Sequence, residues 1–109
     1  MNRGILATIY VHLAKGASAA DLRATLAKRY YDEPFVHVVS EGVSPETRQV
    51  RGSNHCLIGV FADRRPGRAI LLTAIDNLLK GASGQALQNM NIMCDLTETT
   101  GLEQLPLFP

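Results

Sequence analysis

The sequence lacks most of the features that mark nucleic-acid-binding and membrane proteins. Its 109 residues include three tyrosines, three phenylalanines and no tryptophan, and its formal net charge is +1. No run of basic residues is longer than two. Neither electrostatic attraction nor base stacking therefore favours a nucleic-acid partner. No apolar run approaches the roughly 20 residues that cross a bilayer, so we expect no membrane partner either.

Cysteines and targeting signals are also scarce. Cys56 and Cys94 are the only cysteines, and a count this low fits a reducing compartment. Their spacing from the three histidines offers no pattern of metal ligands. The opening residues lack the layout of a secretion signal. These features predict a cytoplasmic protein without a bound metal, and the length predicts a single domain over residues 1–109.

Hydrophobic alternation begins almost at once. Apolar residues alternate from Ile5 to Leu13, which predicts a strand. Ser18, with Asp21 three residues later, predicts a helix N-terminus with a capping box. That helix should end near Tyr31, and residues 35–39 form a short β-rich run. The connections are short, so this order predicts a parallel βαβ crossover.

The second half of the sequence predicts further strands and one long helix. Residues 47–51 are a weak candidate for an edge strand. Residues 55–62 and 68–76 flank Pro66-Gly67, which suits a type II turn and predicts an antiparallel hairpin whose second strand is central. A helix should follow from Asn77 to Cys94. The fold class is therefore α+β, a mixed β-sheet with helices packed on one face in the order β-α-β-β-β-β-α.

The last predicted helix has two unlike sides. One carries an apolar stripe that we expect to face the core, formed by Leu79, Ala82, Ala86, Met90 and Met93. The other carries Asn77, Gly81, Gly84 and Gln88. Glycine inside a helix costs about 1 kcal/mol relative to alanine. The glycine side is thus predicted to be an exposed docking surface for a backbone or a flat ligand that this chain does not supply.

Several short segments together resemble N-acetyl-gamma-glutamyl-phosphate reductase. They are Met1-Asn2-Arg3-Gly4 with the strand that follows, Gly52-Ser53-Asn54-x-Cys56, Ala74 to Asn91 with its Lys-Gly-Ala-Ser-Gly-Gln-Ala core, and Gly101-Leu102-Glu103. They occur in the order found in that family. The resemblance covers roughly the last third of such an enzyme.

The resemblance implies a function for the whole enzyme and a limit for this chain. Members of the family reduce an acyl phosphate to an aldehyde with NADPH in arginine biosynthesis, and their fold is like that of glyceraldehyde-3-phosphate dehydrogenase. The sequence lacks Gly-x-Gly-x-x-Gly, which would cradle a pyrophosphate. It also lacks the family's Asn-Pro-Gly-Cys-Tyr segment. The resemblance therefore implies a missing N-terminal dinucleotide-binding domain, an inactive fragment and a homo-oligomer built by the full enzyme.

The same resemblance suggests roles for four residues. Arg3 would bind the acyl-phosphate substrate, because a guanidinium pairs well with phosphate or carboxylate. The alternative is a solvated terminal arginine. Asn77, Gly81 and Gly84 would face the nicotinamide end of NADP, with Asn77 bonding its amide. The alternative is close helix packing without a ligand. No catalytic residue is expected in this chain.

Other candidate residues favour structural roles. Cys56 should be a buried small hydrophobe, because its neighbour His55 points to the opposite face of a strand. His12 and His37 could lie on neighbouring strands, but a third metal ligand is missing. Asp76 should cap the last helix or pair with an arginine. Lys80 should be solvated.

An alternative function remains open from the sequence. A free-standing α+β oligomerisation or ligand-binding module without chemistry would also explain the missing catalytic motifs. Such a module would gain nothing from two glycines opposite the core stripe, unless a dimer contact buried them.

Overall fold

A computed structural model describes residues 2–107, and the predicted α+β fold with a mixed sheet is confirmed. Its strands are β1 (Ile5–His12), β2 (Val36–Val38), β3 (Cys56–Ala62) and β4 (Arg68–Ile75). Its helices are α1 (Ala19–Arg29) and α2 (Gly84–Met93). A short 3-10 turn covers Thr47–Gln49, and a π-helical turn over Leu79–Ser83 leads directly into α2.

The strands lie in the order β1-β4-β3-β2. β4 is antiparallel to both of its neighbours, while β2 is parallel to β3. β1 and β2 therefore run in the same direction, as a crossover requires, yet they lie at opposite edges of the sheet. The prediction that His12 and His37 share neighbouring strands is wrong, because the apolar strand β4 and its hairpin partner β3 lie between them.

Helix α1 begins as its sequence predicts. The Asp21 backbone N–H donates to Ser18 Oγ over 3.1 Å, and the Ser18 backbone N–H donates to Asp21 Oδ2 over 2.8 Å. The helix packs against β2 and β3. Arg23 adds a tie to this sheet edge, since its Nη2 donates to the Val39 carbonyl over 2.9 Å.

Residues 47–51 are not a strand. The segment turns at Thr47–Gln49, and Glu46 donates its backbone N–H to Gln49 Oε1 over 2.9 Å. Its local polar bonds therefore take the place of strand pairing. Val50 is fully buried, and Pro45 lies so close to β3 that a Cβ at Gly59 would be 2.8 Å from its Cδ. This turn covers part of the sheet.

Strand β1 exposes large apolar side chains on both faces of the sheet. Ile5 and Ile9 are 45% and 43% exposed, and on the opposite face Leu6 and Tyr10 are 47% and 59% exposed. The buried apolar core lies elsewhere and includes Phe35, Val50, Ile58, Val60, Ala69, Ala74 and Leu102. The β1 side of the sheet therefore has the character of a surface that another protein surface covers.

Helix α2 is turned the opposite way from the prediction. Gly84 and Asn91 are buried, whereas Met90 and Met93 are 47% and 84% exposed. Asn91 Nδ2 donates to the backbone carbonyls of residues 98 and 100 over 3.1 and 3.0 Å, which holds the polar side inward. The π-helical turn also fits an extra residue into one turn, which shifts the phase of a 3.6-residue pattern.

Candidate functional site

The start of strand β1 and the end of strand β4 bring together three residues that the sequence singled out, Arg3, Asp76 and Asn77. Ile5 pairs with Ile75, so the residues just outside this pair, Arg3 and Gly4, lie against Asp76 and Asn77. The site therefore forms where the sheet ends and the π-helical turn begins.

Asp76 is the centre of this cluster. Its Oδ2 accepts from Arg3 Nε over 2.9 Å, from Arg3 Nη2 over 2.8 Å and from the Gly52 backbone N–H over 2.6 Å. Its Oδ1 accepts from the backbone N–H groups of Leu78 and Leu79 over 2.8 and 3.3 Å. Asp76 thus fills both of the structural roles that the sequence offered, capping the helical segment and pairing with an arginine.

These bonds also set the charge state of Asp76. The side chain is almost completely buried, and burial raises the pKa of a carboxyl group by disfavouring its charged form. The hydrogen bonds from Arg3, Gly52, Leu78 and Leu79 together outweigh burial and hold the pKa of Asp76 below its ordinary value. The carboxylate is therefore ionised at neutral pH and orients the Arg3 guanidinium.

Asn77 is held by the start of the chain. Its Oδ1 accepts from the Gly4 backbone N–H over 2.6 Å. The side-chain N–H groups of Asn77 donate to no partner among the described residues and can donate to a ligand. Donors of an amide that is held in place suit a carbonyl oxygen.

The two glycines of the predicted docking surface differ. Gly81 is exposed, and a Cβ there would find its nearest neighbour, Ile75 Cδ1, at 3.5 Å. Gly84 is buried, and a Cβ there would clash with Asn54 Oδ1 and lie 2.8 Å from the Leu79 carbonyl carbon. The expectation that both glycines are exposed is wrong for Gly84, because Asn54 of this same chain packs onto it.

A second polar cluster, which the sequence did not reveal, lies beside α2. Gln88 Oε1 accepts from Lys80 Nζ over 2.6 Å and from Asn54 Nδ2 over 3.0 Å. Gln88 Nε2 then donates to Glu98 Oε1 over 2.7 Å. Lys80 is half-buried, so the prediction that it is solvated is wrong; burial lowers its pKa. The only sequence signal for this network was the row of polar residues on one side of the helix, which could have been interpreted as residues that bond to the rest of the chain.

Cys56 begins β3 directly after His55, and His37 lies on the neighbouring strand β2. Burial raises the pKa of the half-buried Cys56 thiol, which disfavours the thiolate that acts as a nucleophile. His37 Nε2 and His55 Nδ1 lie 2.9 Å apart and share a hydrogen bond. Across residues 2–107, no three or more His, Cys, Asp and Glu side chains converge as metal ligands would. In the same part of the chain, no helix is both long and apolar enough to cross a membrane.

These features define a class of protein domain. The sheet has an edge strand, β1, with exposed apolar side chains, and helix α2 exposes Met90 and Met93. Exposed apolar surfaces of this kind are typical of domains that associate with other proteins. Residues 1–77 match the family described as the semialdehyde dehydrogenase dimerisation domain, and the chain belongs to that family.

Comparison with curated proteins confirms the resemblance to the reductase. The chain is 62% identical over 109 residues to N-acetyl-gamma-glutamyl-phosphate reductase of Rhodospirillum rubrum and covers 31% of that protein. It is 60% identical over 109 residues to the reductase of Geobacter sp. (strain M21), covering 32% of it. It is 59% identical to the probable chloroplastic reductase of Arabidopsis thaliana, covering 27%. The chain thus spans about a third of the length of these relatives.

Proposed function

We propose that this chain is the substrate-side and association domain of an NADPH-dependent N-acetyl-gamma-glutamyl-phosphate reductase of arginine biosynthesis, a cytoplasmic enzyme. The observation that carries the proposal is the 62% identity across all 109 residues to such a reductase. The apolar sides of β1 and α2 support it, because they suit contacts with a second copy and with the rest of the enzyme.

In the complete reductase this domain would bind and orient rather than react. The nucleophilic thiol and the cradle for the cofactor pyrophosphate would come from the dinucleotide-binding domain. NADPH, when bound, would supply the hydride. Arg3 would hold an anionic group of the acyl phosphate, and Asp76 would fix the direction of its guanidinium through Nε and Nη2.

The residues near Asn77 fit a nicotinamide. The side-chain N–H groups of Asn77 could donate to the carbonyl oxygen of the nicotinamide amide. Gly81 presents an exposed backbone that carries no side chain of its own, which suits a flat ring. Gly84 lies beneath Asn54, so the proposal gives it a packing role that positions the π-helical turn rather than a cofactor contact.

A complementation assay tests the proposal. The 109-residue chain is mixed with the remaining two thirds of the Rhodospirillum rubrum reductase, and NADPH oxidation is followed with N-acetylglutamyl phosphate. We expect turnover only in the mixture, with loss of at least about tenfold for Arg3→Ala and for Gly81→Leu. Arg65→Ala, in the exposed hairpin turn, is the control with the same change of charge and should keep full activity.

Two results would contradict this assignment. The first is an inactive mixture under conditions where the intact Rhodospirillum rubrum reductase turns over, which would favour the non-catalytic module. The second is full activity of the Arg3→Ala and Gly81→Leu mixtures, which would remove the substrate and cofactor roles.

A further inference from the structure

We propose that Arg51 is a second anion-binding side chain, and that it forms with Arg3 a two-arginine site for a molecule with two anionic groups. This inference rests on the proposed function and extends it by adding a residue that selects the substrate. The two arginines line one open hollow of about 440 Å³ together with Asn2 and Thr47.

The backbone at Arg51 is fixed from two sides. The Arg51 carbonyl accepts from the Leu107 backbone N–H over 2.7 Å. The next N–H, that of Gly52, donates to Asp76 Oδ2 over 2.6 Å. Gly52 has a φ of +77°, and a Cβ there would lie 2.9 Å from Leu107 Cδ1. A turn that only glycine fits therefore holds Arg51 in place.

One carboxylate positions both arginines. Asp76 Oδ2 binds the guanidinium of Arg3 and the peptide that follows Arg51. Because both bonds end on the same buried oxygen, the backbone at Arg51 is held in a fixed place relative to the Arg3 guanidinium. Preorganisation of this kind reduces the entropy cost of binding.

The charge of the hollow favours an anion. Asp76 is the ion-pair partner of Arg3. None of the ion pairs within residues 2–107 involves Arg51, which is an exposed residue. The hollow therefore carries one positive charge without an ion-pair partner in the part of the chain that the structure describes. Guanidinium groups bind phosphate and carboxylate through paired hydrogen bonds.

The ligand chemistry follows from this arrangement. Two guanidiniums beside one hollow suit a small molecule with an anionic group at each end, such as an acyl phosphate that also carries a carboxylate. A singly anionic acyl group would engage only one of them. Arg51 would thus contribute to the choice of substrate.

Anion titration of the 109-residue chain tests the proposal without any turnover. Inorganic phosphate and N-acetylglutamate are added in separate experiments, and backbone amide shifts near Gly52 and Gly4 are followed by NMR. We expect Arg51→Gln to weaken binding of at least one anion by about tenfold or more, since a charge-assisted bond is lost. Arg65→Gln, which removes the same charge from the hairpin turn, should change affinity less than about twofold.

Three outcomes would overturn the proposal. They are unchanged affinity of Arg51→Gln for both anions, an equal loss in Arg65→Gln, and no binding of either anion by the unsubstituted chain. Arg51→Lys keeps the positive charge but loses the forked guanidinium, so its anion affinity should lie between those of the unsubstituted chain and Arg51→Gln. An amide spectrum of each variant that matches the parent away from the hollow shows that the fold is retained. The titration needs no cofactor and no second domain. A negative result would therefore count against the role of Arg51 without implying that the complementation assay fails.

Discussion

Replacing Asp76 with asparagine tests the site most directly. The change keeps the size of the side chain, and the amide oxygen can still accept from the backbone at the start of the π-helical turn. The amide nitrogen, however, would face Arg3 and the Gly52 N–H, which are both donors. A buried donor left without an acceptor costs about 1–3 kcal/mol. With the lost ion pair, we expect a loss of about 3 kcal/mol in the free energy of unfolding.

Urea unfolding followed by circular dichroism measures this loss. With a slope of about 1.5 kcal/mol per molar urea, 3 kcal/mol corresponds to a midpoint about 2 M lower. Glu33→Gln is the control, because Glu33 forms an ion pair with Arg29 whose side chains are 36% and 64% exposed. An exposed pair of this kind contributes less than about 1 kcal/mol. Equal midpoint shifts in the two variants would refute the reasoning.

The same carboxylate predicts a dependence on pH. The pKa of Asp76 is lower in the folded chain than in the unfolded chain, so the unfolded chain binds more protons as the pH falls. The stabilisation is therefore present above about pH 4 and is lost as the pH falls through the folded pKa. Asp76→Asn should flatten this part of a plot of unfolding free energy against pH. A curve as steep as that of the parent chain would contradict the assignment.

Four further predictions address other parts of the molecule. Gly84→Ala should lower the urea midpoint by the equivalent of about 2 kcal/mol or more, whereas Gly81→Ala should leave it unchanged or raise it, and the opposite order would disprove the packing account. Burial, with the charges of His37 and Lys80, lowers the pKa of His55, so stability should fall as the pH drops from about 7 to 5; His55→Gln should remove that slope in urea midpoints. Ile9→Lys, on the exposed strand β1, should weaken self-association by at least about tenfold in analytical ultracentrifugation while the monomer stays folded; an unchanged sedimentation profile would place the interface elsewhere. Met93→Lys should leave the melting temperature unchanged but weaken capture by the remaining part of the Rhodospirillum rubrum reductase, with Gln85→Lys as the exposed control.

The local features of the fold could be predicted from the sequence. The capping box at Ser18, the hairpin at Pro66-Gly67 and the central place of β4 depend on a few neighbouring residues or on apolar composition. Each is present in the structure. Strand order was harder, because the partner of β1 is decided by contacts between residues far apart in the sequence.

The orientation of α2 could not be predicted from hydrophobic pattern alone. The pattern assigns the stripe with Met90 and Met93 to a core, but it does not say which polypeptide provides that core. In this chain the polar side is held inward by bonds of Asn91 and Gln88, and the apolar side is exposed. The π-helical turn was a second obstacle, since no residue type marks an extra residue in a helical turn.

The candidate site was predicted in part. The sequence indicated a structural role for Asp76, and the resemblance indicated Arg3 and Asn77. Their meeting depends on the register of β1 and β4, which places Ile5 opposite Ile75. The contact of Gly52 with Asp76 comes from a third segment, and no spacing in the sequence relates that segment to the other two.

The strand order has a consequence for the synthesis of this chain on the ribosome. β1 is made before β4, its strand partner in the sheet, so Ile9 meets its opposite residue Leu71 only roughly sixty residues later. At usual synthesis rates of about 5–20 residues per second, the nascent β1 waits roughly three to twelve seconds with its apolar side chains uncovered. Chaperones that hold nascent apolar segments would have that interval in which to act.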